Sequence, residues 1–158
     1  MNALQRFTLP EKVTAVAGIV LLIGMFAFPW YHVGIASFTV GGQTFGGQSF
    51  DSNVLKGPGS FFSIVALIVL IALLAEFFIS RLTAAQLPSI PIAWSAAELY
   101  GALAVLGLLV IKFLFHIGNF GWGFYVVLAA AIAVAYGAFG ISRGSSTASV
   151  HVAAHGGS

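Results

Sequence analysis

Four apolar stretches govern what this chain can become. Each is long enough to cross the ~30 Å hydrocarbon core of a bilayer as a helix rising ~1.5 Å per residue. They run from about Val13 to Trp30, Phe61 to Ser80, Ile92 to Phe115 and Gly121 to Ser142. Backbone in lipid must satisfy its own hydrogen bonds, so spans of this kind are helices. The expected fold class is an all-α membrane protein, a four-transmembrane-helix bundle. Residues 1–142 read as its single domain, with an outer loop over 31–60 and a cytoplasmic tail over 143–158. The first stretch is longer than the roughly 7–15 apolar residues of a signal peptide, so it reads as retained.

Composition supports the same class. Of 158 residues, 6% are charged and 59% hydrophobic, with a mean hydropathy of +1.04. A soluble domain carries about a quarter charged residues and could not hide this much apolar surface. That excludes a soluble enzyme, a nucleic-acid binder and a disordered chain. The net charge of +2 contains no polybasic run, so nucleic acid is not an expected partner and the lipid bilayer is. With no cysteine, disulfides and cysteine-based metal or catalytic chemistry are excluded.

Helix punctuation brackets the spans. Thr8-Leu9-Pro10-Glu11 fits a capping box. Gly57-Pro58-Gly59-Ser60 breaks the chain and offers Ser60 as an N-cap for the second span. Gly118 to Gly121 makes a tight reversal, so spans three and four are antiparallel neighbours. Arg6, Lys12, Arg81 and Arg143 flank the spans on one side, while Lys56 alone lies in the loops of the other. The positive-inside rule then places both termini in the cytoplasm of a multi-pass protein. Trp30, Tyr31, Trp122 and Tyr125 read as aromatic anchors at the outer boundary, and Trp94 at the inner one.

The outer loop predicts a small β-hairpin lying over the helix ends. Val33 to Val40 is rich in strand formers, Gly41-Gly42 is a hairpin-type turn, and Gly41-Gly42-Gln43-Thr44-Phe45 is echoed by Gly46-Gly47-Gln48-Ser49-Phe50. Phe38, Phe45 and Phe50 are too apolar to point freely into water. They either cover the outer face of the bundle or form a contact surface for another subunit.

Charges within spans need a reason. Glu76 and Glu98 both fall in the inner third, as a proton- or cation-binding pair or as interfacial acids facing Arg81. Lys112 lies in the outer third and is expected to snorkel to the outer surface, or else to meet Asp51 or a partner's acid. His32 and His116 share the outer boundary and could ligate a metal or haem iron, or simply be two separate interfacial histidines. Otherwise no cofactor is expected. Small residues recur at four-residue spacing: Thr14 and Gly18 in span one, and Ala129, Ala133 and Gly137, with Gly140 a turn on, in span four. Such ridges let helices approach closely, within the monomer or between protomers. No nucleophile–base set, phosphate loop or metalloprotease helix is present, so the chain is read as non-enzymatic.

The run Leu9-Pro10-Glu11-Lys12-Val13, an apolar helix and then Phe28-Pro29-Trp30-Tyr31 resembles small four-span membrane proteins of actinobacterial type, a group without an assigned activity. The resemblance implies a bacterial plasma membrane and this topology. The layout also resembles claudins, whose paired loop cysteines are missing here. Three functions stay open: a structural or accessory subunit of a membrane assembly that self-associates or joins a larger complex; a small oligomeric channel or transporter using Glu76, Glu98 and Lys112; and a haem- or metal-binding subunit using His32 and His116.

Overall fold

A computed structural model describes residues 7–57, 59–83, 92–115, 118 and 120–155. Four helices, α1 (Leu9–Ala27), α2 (Ser60–Leu82), α3 (Trp94–Phe115) and α4 (Trp122–His155), enclose one apolar core. Four strands, β1 (Tyr31–Gly34), β2 (Phe38–Val40), β3 (Gln43–Phe45) and β4 (Ser49–Ser52), lie between α1 and α2. The first three helices and the Trp122–Gly144 part of α4 are long and apolar enough to cross a membrane. The chain is thus built as a multi-pass membrane protein.

The helix limits follow local chemistry. α1 starts at Leu9, four residues before the expected span, because Thr8 donates both its N–H and its hydroxyl to Glu11 Oε2, at 2.7 and 2.8 Å. It stops at Ala27, not Trp30. Phe28 precedes Pro29 and is pushed into extended backbone, φ −94° and ψ 139°. At α2 the N-cap is Gly59, in the left-handed region, and Ser60 is already helical. α4 continues to His155, through the stretch whose Ser, Gly and Ala content reads as a flexible tail. No proline interrupts it, and extending a formed helix costs little per residue.

α1 packs most extensively on α4, α2 on α3, and α3 on α4. Small residues set the α1–α4 approach. A Cβ at Gly137 would fall inside Thr14 Oγ1, one at Gly24 would press on Val127, and one at Gly123 would strike Phe28. The pair is therefore antiparallel and close along its whole length. Between the ends the core is wholly apolar, with Leu21, Met25, Leu70, Val105, Leu109, Val127 and Val134 buried.

The strands form two antiparallel ladders, β1–β4 and β2–β3. Tyr31 faces Ser52 in the first and Phe38 faces Phe45 in the second, so both keep a single register. They are one hairpin, interrupted midway. Ile35 N–H donates to Gln48 O at 2.8 Å and Gly47 N–H donates to Ile35 O at 3.0 Å across the interruption. Gly41 and Gly42 close the tip with φ of 60° and 82°, the left-handed pair a two-residue hairpin turn requires.

Candidate functional site

Three places gather the few polar and unusually exposed side chains. The first is the end of the bundle where α1 begins and α2 ends. Arg81 sits in the last turn of α2. Its Nε donates to Glu11 Oε1 on α1 at 2.9 Å, and its Nη1 and Nη2 donate to Glu98 Oε1 and Oε2 on α3 at 2.7 and 3.3 Å. Ser80 Oγ accepts a further bond from Nη1, and the guanidinium lies 4.3 Å from the Phe77 ring centroid. One planar cation thus ties three helices, a task suited to its fork of donors. Glu98 is only 3% exposed. Glu76 adjoins Glu98, and its buried Oε1 accepts no hydrogen bond. The two acids line a cavity of about 200 Å³ between α2 and α3, beside Trp94. Glu98 faces Arg81, as one of the two readings of the inner acids expects, whereas Glu76 looks into this cavity.

The second place is the opposite end. Lys112 does not snorkel: it is fully buried, and its ammonium donates to Lys56 O at 2.9 Å and lies 5.7 Å from the Tyr31 ring centroid. The loop after the hairpin folds back over it and supplies the carbonyl, so the stem never reaches the surface. Asp51, the acid expected as its alternative partner, instead meets His32 Nδ1 at 2.7 Å, across the directly paired position of β1 and β4. His116 lies outside the described residues. Among those described, no three His, Cys, Asp or Glu side chains gather in a way that could hold a metal.

Trp30 and Tyr31 are not interfacial anchors either. Both are buried at the root of the hairpin, and burial pushes the Tyr31 phenol above its ordinary pKa of 10. Trp30 packs edge-on against Phe124 at 5.0 Å, and Phe120 stacks on Phe113 and Phe124 at 5.3 and 4.4 Å. Phe120 also bridges Tyr31, while Gly121 N–H donates to Trp30 O at 2.9 Å. The hairpin is therefore bolted to the α3–α4 turn, with Trp122 and Tyr125 left exposed as boundary aromatics.

The third place is the hairpin itself. Phe38, Phe45 and Phe50 are 61, 48 and 54% exposed, so they do not cover the bundle. Phe38 and Phe45 stack on one another at 5.8 Å across the ladder. Val40 and Ile35 are exposed beside them. The reason is geometric: only the root pair of strands reaches the helix ends, and the common register carries the tip beyond them.

Of the small residues, Thr14, Gly18, Gly137 and Gly140 are used within the chain. Gly18 meets Leu74, Gly137 meets Thr14, and Gly140 meets Pro10. Ala129 and Ala133 instead line an open apolar groove between α1 and α4. Neither the ion pair of Glu11 nor that groove stood out in the sequence. For Glu11 the signal existed, since the positive-inside rule already puts Arg81 at the end where α1 starts.

Compared with known proteins, the chain matches no family model, no curated protein and no solved structure.

Proposed function

We propose that this chain is a non-catalytic structural or accessory subunit of a bacterial plasma-membrane assembly, self-associating through its outer hairpin. The observation that carries the reading is the exposed, stacked pair Phe38 and Phe45, with Phe50 exposed on β4, on a hairpin fixed to the bundle. A two-stranded hairpin alone is marginal in water, and an exposed apolar pair on open strand edges favours association. The bundle supports it as a platform. Its core is apolar between the two ends, where the buried polar side chains are held, which suits a scaffold better than a water path. The Lys12, Arg81 and Arg143 end faces the cytoplasm under the positive-inside rule, placing both termini there and the hairpin outside.

Gentle extraction followed by native mass measurement tests the reading. The wild type is expected well above 16.5 kDa plus detergent. Phe38→Ser with Phe45→Ser, which touches no bundle contact, should reduce it to a single chain. A wild-type monomer, or an assembly indifferent to both substitutions, overturns the proposal.

A second reading, a cation-handling protein, is favoured by the unpaired Glu76 oxygen facing the cavity it shares with Glu98. Proteoliposomes should then carry protons or small cations faster than protein-free vesicles, with Glu76→Gln lowering the flux several-fold. Flux equal to that of empty vesicles removes this reading.

A further inference from the structure

The outer half of the hairpin has two edges that are not equivalent. β2 and β3 form a two-stranded ladder, so each has one edge with no partner strand among the described residues. Gly41 and Gly42 make a two-residue turn, so the pairs Val40–Gln43 and Phe38–Phe45 exchange the inward hydrogen bonds of that ladder. Thr39 and Thr44, paired between them, turn their N–H and C=O outward. Their hydroxyls lie 3.3 Å apart on one face of the ladder, and Phe38, Val40, Gln43 and Phe45 share the other. Every residue of both strands is exposed, so the bundle covers neither edge.

An open edge is a template for another strand, and chains that avoid self-pairing place lysine, proline or an inward charge on it. This one does not: residues 33–50 include no charged residue and no proline. The nearest ionisable side chains, His32 and Asp51, face each other at the root. A second copy brought to the tip therefore meets no like charge. The β2 edge is also self-complementary. Laid antiparallel on its own copy about Thr39, it sets Phe38 opposite Val40 and Val40 opposite Phe38, two aromatic–β-branched pairs of the kind that stabilise sheets. The two Thr39 residues then exchange a pair of N–H···O bonds. The same operation on β3, about Thr44, sets the Gln43 amide against the Phe45 ring.

We infer that two copies of this chain join along β2, antiparallel and in register about Thr39, as a four-stranded sheet in the order β3–β2–β2–β3. The inference rests on the self-association proposed above and names its edge, register and symmetry. A two-fold contact uses each β2 edge once, so it closes at two copies. Copies in one bilayer share its normal, so the two-fold axis runs along that normal and the joined tips lie across the membrane surface. The turn away from the root ladder falls at the interruption, where Gly46 and Gly47 have φ of 84° and 76°.

The chain has no cysteine, so single cysteines report the pairing in vesicles holding the full chain. Thr39→Cys is expected to be joined to its own copy by a short bifunctional thiol reagent, since paired Cα atoms lie ~5.5 Å apart. Thr44→Cys should stay single, because three strand spacings of ~4.8 Å separate the two β3 strands. Thr39→Pro removes the outward N–H and spares the hairpin's own ladder, so it should weaken the dimer about tenfold or more through two lost hydrogen bonds. Thr44→Pro, matched in ladder position, should leave the dimer unchanged. An assembled wild type combined with no joining at Thr39→Cys, equal joining at both cysteines, or equal effects of the two prolines overturns the β2 register and leaves the hairpin reading standing. A wild type that runs as a single chain removes both.

Discussion

Replacing Arg81 by methionine is expected to destabilise the bundle by about 3–5 kcal/mol, the cost of leaving one side of a buried ion pair uncompensated. Glu98 would lose its bidentate donor and Glu11 its guanidinium partner from α2, with Glu98 almost wholly buried. Arg81→Lys should also lose stability, because one ammonium cannot span carboxylates on two helices. The double variant Arg81→Met with Glu98→Gln should recover part of the loss, since it removes a stranded charge as well as its partner. Reversible unfolding in mixed micelles, followed by helical circular dichroism, measures all four chains. An Arg81→Met protein as stable as wild type would show that the network is decoration.

The second large effect is expected at Gly137. Leucine there should force α1 and α4 apart, at a cost of about 3 kcal/mol, the upper part of the usual range for overpacking. A first carbon at this position already falls inside Thr14 Oγ1 and comes within 2.9 Å of Pro10 O and 3.0 Å of Thr14 N. Two of those atoms are backbone and cannot swing away. Gly107→Ala is the matched control. Nothing lies within 4 Å of its added carbon, so it should stabilise α3 by up to ~1 kcal/mol through helix propensity alone. The two substitutions should move the same unfolding curve in opposite directions.

Properties written locally in the chain were legible before the structure. Span number follows from length and apolarity, and the reversal at Gly41-Gly42 follows from two consecutive glycines between strand formers. Even the misplaced end of α1 was readable, because Phe28 precedes a proline. What escaped was joint geometry. Nothing near Glu11 announces a partner 70 residues away, so its capping role concealed its ion pair. Lys112 looked free to reach outward because its own helix says nothing of the loop that folds over it. Phe38 and Phe45 looked too apolar to stay uncovered. Register, set by pairs across the hairpin, takes them past the helix ends all the same. The groove between α1 and α4 depends on two spans at opposite ends of the sequence, and alanine spacing on one of them cannot reveal it.

The Arg81 network also gives the protein a schedule. During synthesis Glu11 emerges first, Arg81 follows 70 residues later, and Glu98 another 17 after that. Until the third span has been delivered, the growing bundle carries ionised groups that lack their full set of partners in a medium hostile to charge. The tie among the three helices can therefore close only once α3 has been made, because Arg81 on α2 needs Glu98 on α3 as well as Glu11 on α1.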